Sequence, residues 1–76
     1  MKRYFFDLVG QDRSEYDFRG REFSAPEKAF QLAELMALDL EIKGEGEWFG
    51  WCIDVRNAHG QQYFTVPVRE PEMKAA

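Results

Sequence analysis

The 76-residue chain has few of the residues that build metal, disulfide or catalytic sites. It contains one cysteine, Cys52, and one histidine, His59. A single thiol cannot close an internal disulfide, and no cluster of cysteine and histidine is present to hold a zinc ion. We therefore expect no metal site and no cofactor, and we see no pattern for a small-molecule ligand.

Long apolar runs are also missing. No segment approaches the roughly 20 apolar residues that cross a membrane. The opening residues, MKRYFFD, leave no room for the apolar stretch of a signal peptide. With one free thiol and no export signal, we expect a cytoplasmic protein with no membrane contact.

Positive charge is the scarcer sign. Ten basic residues stand against fourteen acidic ones, for a net charge of −4. An acidic domain repels phosphate backbones, so nucleic-acid binding would need a local basic patch. The possible members of such a patch are Lys2, Arg3, Arg13, Arg19 and Arg21, and each lies among acids. Nucleic acid is therefore disfavoured as a partner.

Apolar and aromatic residues are plentiful, at 45% and 16% of the chain. This content predicts a folded domain, and the length allows only one. We expect the domain to span residues 1–68 and a polar tail to follow at 69–76. A domain of this size buries only about 60% of its surface, so a second copy is the expected source of extra stability.

Four segments show the alternation of β-strands, with turn residues between them. In the first, Tyr4, Phe6 and Leu8 point one way, and Asp7 points the other way. Gly60 suits the positive φ of a hairpin turn, and Pro67 predicts an edge strand because it lacks an N–H. The four predicted strands are residues 3–9, 15–19, 48–56 and 62–68.

A helix is predicted over residues 25–43. Ser24 and Glu27 have the spacing of a capping box, Pro26 suits the first turn, and Gly44 is expected to end the helix in a left-handed conformation. One broad apolar face is predicted to cover the sheet. It comprises Ala25, Ala29, Leu32, Ala33, Met36, Ala37 and Leu40.

A second apolar stripe, Leu35, Leu38 and Ile42, falls on the side of the helix that should face water. It is either half-covered by a loop or a chain end, or it is a protein interface. We name it the helix stripe. It is the candidate interface of this chain.

The order of elements is β-β-α-β-β. We predict an α+β fold in which one helix covers a four-stranded antiparallel sheet with strand order 2-1-3-4. This order places the two most apolar strands in the centre and the proline-containing strand at an edge. The face beneath the helix should carry Phe6, Leu8, Trp51, Ile53, Phe64 and Val66.

The remaining reactive residues favour structural roles. His59 lies in a predicted hairpin turn, and Cys52 lies within a strand, where cysteines are usually small buried hydrophobes. Asp7 and Asp54 should share the outer sheet face, and paired carboxylates can perform acid–base catalysis. However, Arg56 lies on that face too, so an exposed cross-strand ion pair is the favoured interpretation. We expect no catalytic residues.

Several segments resemble a family of short uncharacterised bacterial proteins, found mainly in alphaproteobacteria. They are residues 3–8 (RYFFDL), 17–20 (DFRG) before an alanine-rich helix, 50–55 (GWCIDV) and 65–68 (TVPV). The similarity spans roughly residues 3–68. The resemblance implies a cytoplasmic domain that stands alone. It does not identify any catalytic or binding residues in this chain.

Three functions from different classes remain. The leading hypothesis is a non-catalytic interaction module that forms a homodimer or binds a protein partner, through either the helix stripe or the outer sheet face. The alternative is an antitoxin-like or nucleic-acid-linked accessory protein, which rests on analogy of fold alone. The third is a small enzyme whose site is not recognisable in the sequence.

Overall fold

The aromatic segment near the start of the chain forms the central strand β1 (Lys2–Val9) of the computed structural model, which describes residues 1–70. The fold is α+β, with a five-stranded antiparallel sheet in the order β2-β1-β4-β5, and β3 also pairs with β1. The predicted order 2-1-3-4 is confirmed. Most of the predicted tail, residues 71–76, lies outside the described residues. The other elements are β2 (Ser14–Glu15), β3 (Arg21–Phe23), α1 (Pro26–Lys43), β4 (Cys52–Asn57) and β5 (Gln62–Pro67).

The second strand differs from its prediction. Instead of one strand over residues 15–19, β2 pairs with the end of β1 and β3 pairs with its beginning. Residues 16–20 leave the sheet between the two. Gly20 has a φ of 68°, which turns the chain back toward β1. An added Cβ at Gly20 would lie 2.7 Å from the carbonyl oxygen of Tyr4.

The predicted capping box is wrong. The N-cap residue is Ala25, and no side chain caps the helix. Pro26 explains the shift, because a proline forces the residue before it into extended backbone. Ala25 accordingly has φ −150° and ψ 148°, so it cannot be the first helical residue after Ser24.

The helix end also differs. Gly44 has φ −80° and is not left-handed; the positive φ values belong to Glu45 and Gly46. Gly44 is needed because a Cβ there would lie 2.4 Å from the Leu40 carbonyl oxygen. Turns follow through residue 50, so the third predicted strand begins at Cys52 rather than residue 48.

The core lies between α1 and the inner face of the sheet. Ala29, Ala33 and Ala37 are buried on the helix, and their small size lets it lie close to the strands. The predicted inner face is confirmed: Phe6, Ile53 and Val66 are buried, and Leu8, Trp51 and Phe64 pack around them half-buried.

The strand β5 forms one edge of the sheet, as its proline predicted. The N–H of Val68 donates to the carbonyl of Trp51 at 2.8 Å. Because successive backbone groups point to opposite sides of a strand, the nitrogen of Pro67 points to the open edge. No ladder bond to β4 is lost there. The two edges of the sheet are thus β5 on one side and β2 with β3 on the other.

Candidate functional site

The outer face of the sheet carries a buried ion pair. Arg56 Nε lies 2.6 Å from Asp7 Oδ2, and Arg56 Nη2 lies 3.3 Å from Asp7 Oδ1. The guanidinium group also stacks over the ring of Phe5, at 4.6 Å from its centroid. Asp7 is only 3% exposed, so the prediction of an exposed pair is wrong. The reason is that residues 16–20 cover it.

Asp17 holds these covering residues in place. Its Oδ2 accepts the N–H of Phe6 at 3.2 Å, in the gap of β1 that neither β2 nor β3 fills. Its Oδ1 accepts the N–H groups of Arg19 at 3.0 Å and Gly20 at 3.1 Å. Burial alone would raise the pKa of Asp17. The three N–H groups and the charge of Arg56 outweigh burial and lower that pKa.

The two aspartates and Arg56 form one network. The N–H of Asp17 donates to Asp7 Oδ1 at 2.9 Å, and Arg56 Nη2 donates to the Asp17 carbonyl at 3.1 Å. Asp7 thus accepts three hydrogen bonds while buried, which leaves its carboxylate little access to a substrate. The arrangement fixes the backbone of residues 16–20. We name this segment the pinned loop.

The second predicted carboxylate, Asp54, lies directly opposite Asp7 in the sheet register. The two side chains nevertheless have different partners, because Asp54 Oδ1 accepts the hydroxyl of Thr65 at 2.9 Å. The register therefore brings the pair together as predicted, but their hydrogen bonds do not join them. Asp17, which sequence reasoning did not single out, is the true companion of Asp7.

His59 lies in the predicted hairpin turn, whereas Cys52 begins its strand instead of lying buried in the middle of it. The backbone N–H of exposed His59 donates to Asn57 Oδ1 at 2.9 Å in the hairpin turn, and Gly60 has the expected positive φ of 83°. Cys52 is half-buried at the start of β4. Within residues 1–70, no three His, Cys, Asp or Glu side chains are grouped to hold a metal ion.

The helix stripe is exposed. Leu35 is 63% exposed, Leu38 49% and Ile42 71%. The three side chains surround an open hollow of about 450 Å³, together with Leu32, Met36 and Asp39. At 100° per residue they lie opposite the buried alanines, so nothing in the described sheet can cover them.

A second exposed apolar group was missed by sequence reasoning. On the pinned loop, Phe18 is 88% exposed and Tyr16 is 60% exposed. Both belong to a segment predicted as a weak strand, in which alternate residues would face the core. The available signal was the local sequence Asp17-Phe18-Arg19-Gly20, a turn with an acceptor side chain at its start and a glycine at its end.

Comparison with protein families matches residues 3–69 to a domain of unknown function, DUF6894. The chain belongs to the DUF6894 family. The expectation of a family without a characterised function is thereby confirmed, whereas its bacterial source stays a prediction. No curated protein and no solved structure matches the chain. In the part of the chain that the structure describes, no helix is long and apolar enough to span a membrane.

Proposed function

We propose that this DUF6894 domain is a non-catalytic, cytoplasmic interaction module that self-associates through the helix stripe. The observation that carries the proposal is the exposure of Leu35, Leu38 and Ile42 on one side of α1. Large contiguous patches of exposed apolar side chains are uncommon on monomeric proteins. Where they occur, they usually mark a protein interface. The engaged, buried carboxylate of Asp7 supports a module rather than an enzyme.

The free energy gained by burying the stripe is comparable in size to the cost of forming a dimer. Fully burying a leucine or isoleucine contributes about 1.5–3 kcal/mol. These side chains are about half or more exposed, so their burial in a dimer would contribute about half or more of that free energy. Six of them across two copies would contribute roughly 6–10 kcal/mol. This would offset a good part of the estimated association cost of about 4–15 kcal/mol, so any dimer formed through the stripe alone is expected to be weak.

A two-fold axis lets the helix stripe meet itself, which is the commonest arrangement of small homodimers. On one side of the stripe the charges do not oppose association, because Asp39 and Lys43 form an ion pair with an Nζ–Oδ1 distance of 3.1 Å. The net charge at that position is therefore close to zero. Glu34 and Glu41 flank Leu38 on the other side of the stripe, so the two copies must be offset to keep these carboxylates apart.

The test is the solution mass of the wild type and of Ile42→Glu, measured by light scattering across a concentration series. We expect the wild type to dimerise and the mass of Ile42→Glu to stay closer to 9.0 kDa than that of the wild type at every concentration. Lys28→Gln is the control, because it makes the same change in net charge about four turns away on the same helix. A wild type that stays monomeric at high micromolar concentration would refute the proposal.

A further inference from the structure

The pinned loop presents Phe18 to solvent on a rigid backbone. Six hydrogen bonds hold its residues 16–20, three of them to the Asp17 carboxylate. Phe18 itself is 88% exposed and contributes nothing to the core. An aromatic side chain on a preorganised loop binds with little loss of entropy, which is typical of the residues that dominate interfaces.

The same molecule has a groove that suits such a ring. It lies between α1 and β5, has a volume of about 550 Å³, and is lined on its apolar side by Phe30, Ala37, Leu38 and Val66. Glu34, Glu41 and Arg69 stand at its rim, so carboxylates outnumber guanidinium groups there by two to one. We name it the edge groove. Its apolar floor and acidic rim call for an apolar group flanked by positive charge.

The pinned loop has that combination. Phe18 is followed by Arg19, and Arg21 begins β3 just beyond Gly20. Within residues 1–70, neither of these guanidinium groups forms an ion pair, and neither does the carboxylate of Glu34. Opposite charges that are unpaired in the monomer would pair across a contact between the two surfaces.

The loop cannot reach the groove of its own chain. Sheet order places the pinned loop beside β2 and β3 at one edge, and the edge groove beside β5 at the other. We propose that Phe18 of one copy inserts into the edge groove of a second copy. This contact is head-to-tail, so it leads to a ring or an open chain rather than a closed pair. It shares Leu38 with the helix stripe but does not use Leu35 or Ile42, so it would hold if the stripe itself were ordinary surface.

The experiment uses the full chain carrying Ile42→Glu, so that the stripe contact is absent and the two proposals fail separately. We expect the mass of this protein to rise with concentration beyond 9.0 kDa. Adding Phe18→Ser should weaken association about tenfold or more. Adding Glu34→Arg should do the same, because it places positive charge against Arg19. Arg19→Glu combined with Glu34→Arg should restore association.

Mixing provides the decisive control. A Phe18→Ser chain keeps its groove, and a Glu34→Arg chain keeps its Phe18. Neither should associate alone, but an equal mixture should form one-to-one dimers of twice 9.0 kDa and nothing larger. An interface in which the helix stripe meets itself cannot show this complementation.

Three outcomes would overturn the inference. They are a monomeric mixture, an Ile42→Glu protein that stays monomeric at all concentrations, and equal association with or without Phe18. Binding of single-stranded RNA or of anionic vesicles that requires Phe18, in a protein that remains monomeric, would overturn it too. That result would assign the loop to a different class of partner.

Discussion

Replacing Asp7 with alanine is the sharpest test of how the outer face is held together. The change removes the acceptor for Arg56 at 2.6 Å and for the N–H of Asp17 at 2.9 Å. It leaves the guanidinium group half-covered by the pinned loop without a carboxylate. It also detaches that loop from the sheet at one of its anchors.

The magnitude follows from burial. The side chains of Asp7 and Arg56 are 5% and 26% exposed. Removing one partner of a buried pair costs about 3–5 kcal/mol, because the other charge is left without compensation. Arg56 retains some contact with water and its bond to the Asp17 carbonyl, so we expect about 3 kcal/mol, near the lower limit. This is a large fraction of the free energy of unfolding of a small domain, which is about 5–15 kcal/mol.

The assay is urea unfolding at pH 7, followed by tryptophan fluorescence. The matched control is Glu22→Ala, which removes the carboxylate from another ion pair, one that joins β1 to β3. That pair joins Arg3 and Glu22 at 3.3 Å, with side chains 45% and 53% exposed. Its loss should cost less than about 1 kcal/mol. The double variant Asp7→Ala/Arg56→Met should lose less than the sum of its single changes, because no charge stays buried.

If Asp7→Ala lowers the free energy of unfolding no more than Glu22→Ala does, the pinned loop does not shield the pair from solvent and the network behaves as ordinary surface. The same conclusion would follow if the loss of unfolding free energy in the double variant equalled the sum of the losses in the two single variants. Either result would also weaken the case for a rigidly presented Phe18.

Three further predictions use the same unfolding assay. Gly20→Ala should cost at least about 1 kcal/mol more than Gly60→Ala, because both have positive φ but only Gly20 is crowded by the Tyr4 carbonyl; equal costs would contradict this. Ser24→Ala should change stability by less than about 0.5 kcal/mol, because its hydroxyl caps nothing. The lowered pKa of Asp17 means that the unfolded chain takes up this proton first as the pH falls. Stability should therefore decline below about pH 4, and it should decline less steeply in Asp17→Asn; parallel profiles would argue against it.

The sequence determined the elements whose patterns are local. Alternation in the first, third and fourth strands and the helical spacing of Ala29, Ala33 and Ala37 were enough to place the core. Pro67 was enough to place an edge, because a missing N–H has the same consequence in any sheet. The strand order then followed from burying the most apolar strands.

The errors at the helix termini have a local cause as well. The residue before a proline is restricted to extended backbone, and this rule alone makes Ala25 rather than Ser24 the N-cap. At the other end, the crowding of Gly44 against the Leu40 carbonyl depends on how the chain turns after the helix. That turn is not visible in the spacing of residues.

The arrangement of side chains and of the pinned loop on the outer face of the sheet was decided only by the tertiary structure. The segment 15–19 reads as a strand, but the side chain of Asp17 takes the backbone N–H of Phe6 that a strand would have taken. The Asp17 side chain can replace a strand in this way only when β1 lies beside the segment. Arg56, which is 39 residues away in sequence, must also donate to the Asp17 carbonyl. It turns an expected surface ion pair into a buried one and turns Phe18 from a strand residue into the most exposed phenylalanine of the described residues. Contacts between distant residues carry no periodicity of their own, which is why the sequence could predict the core but not the surface loop that the core supports.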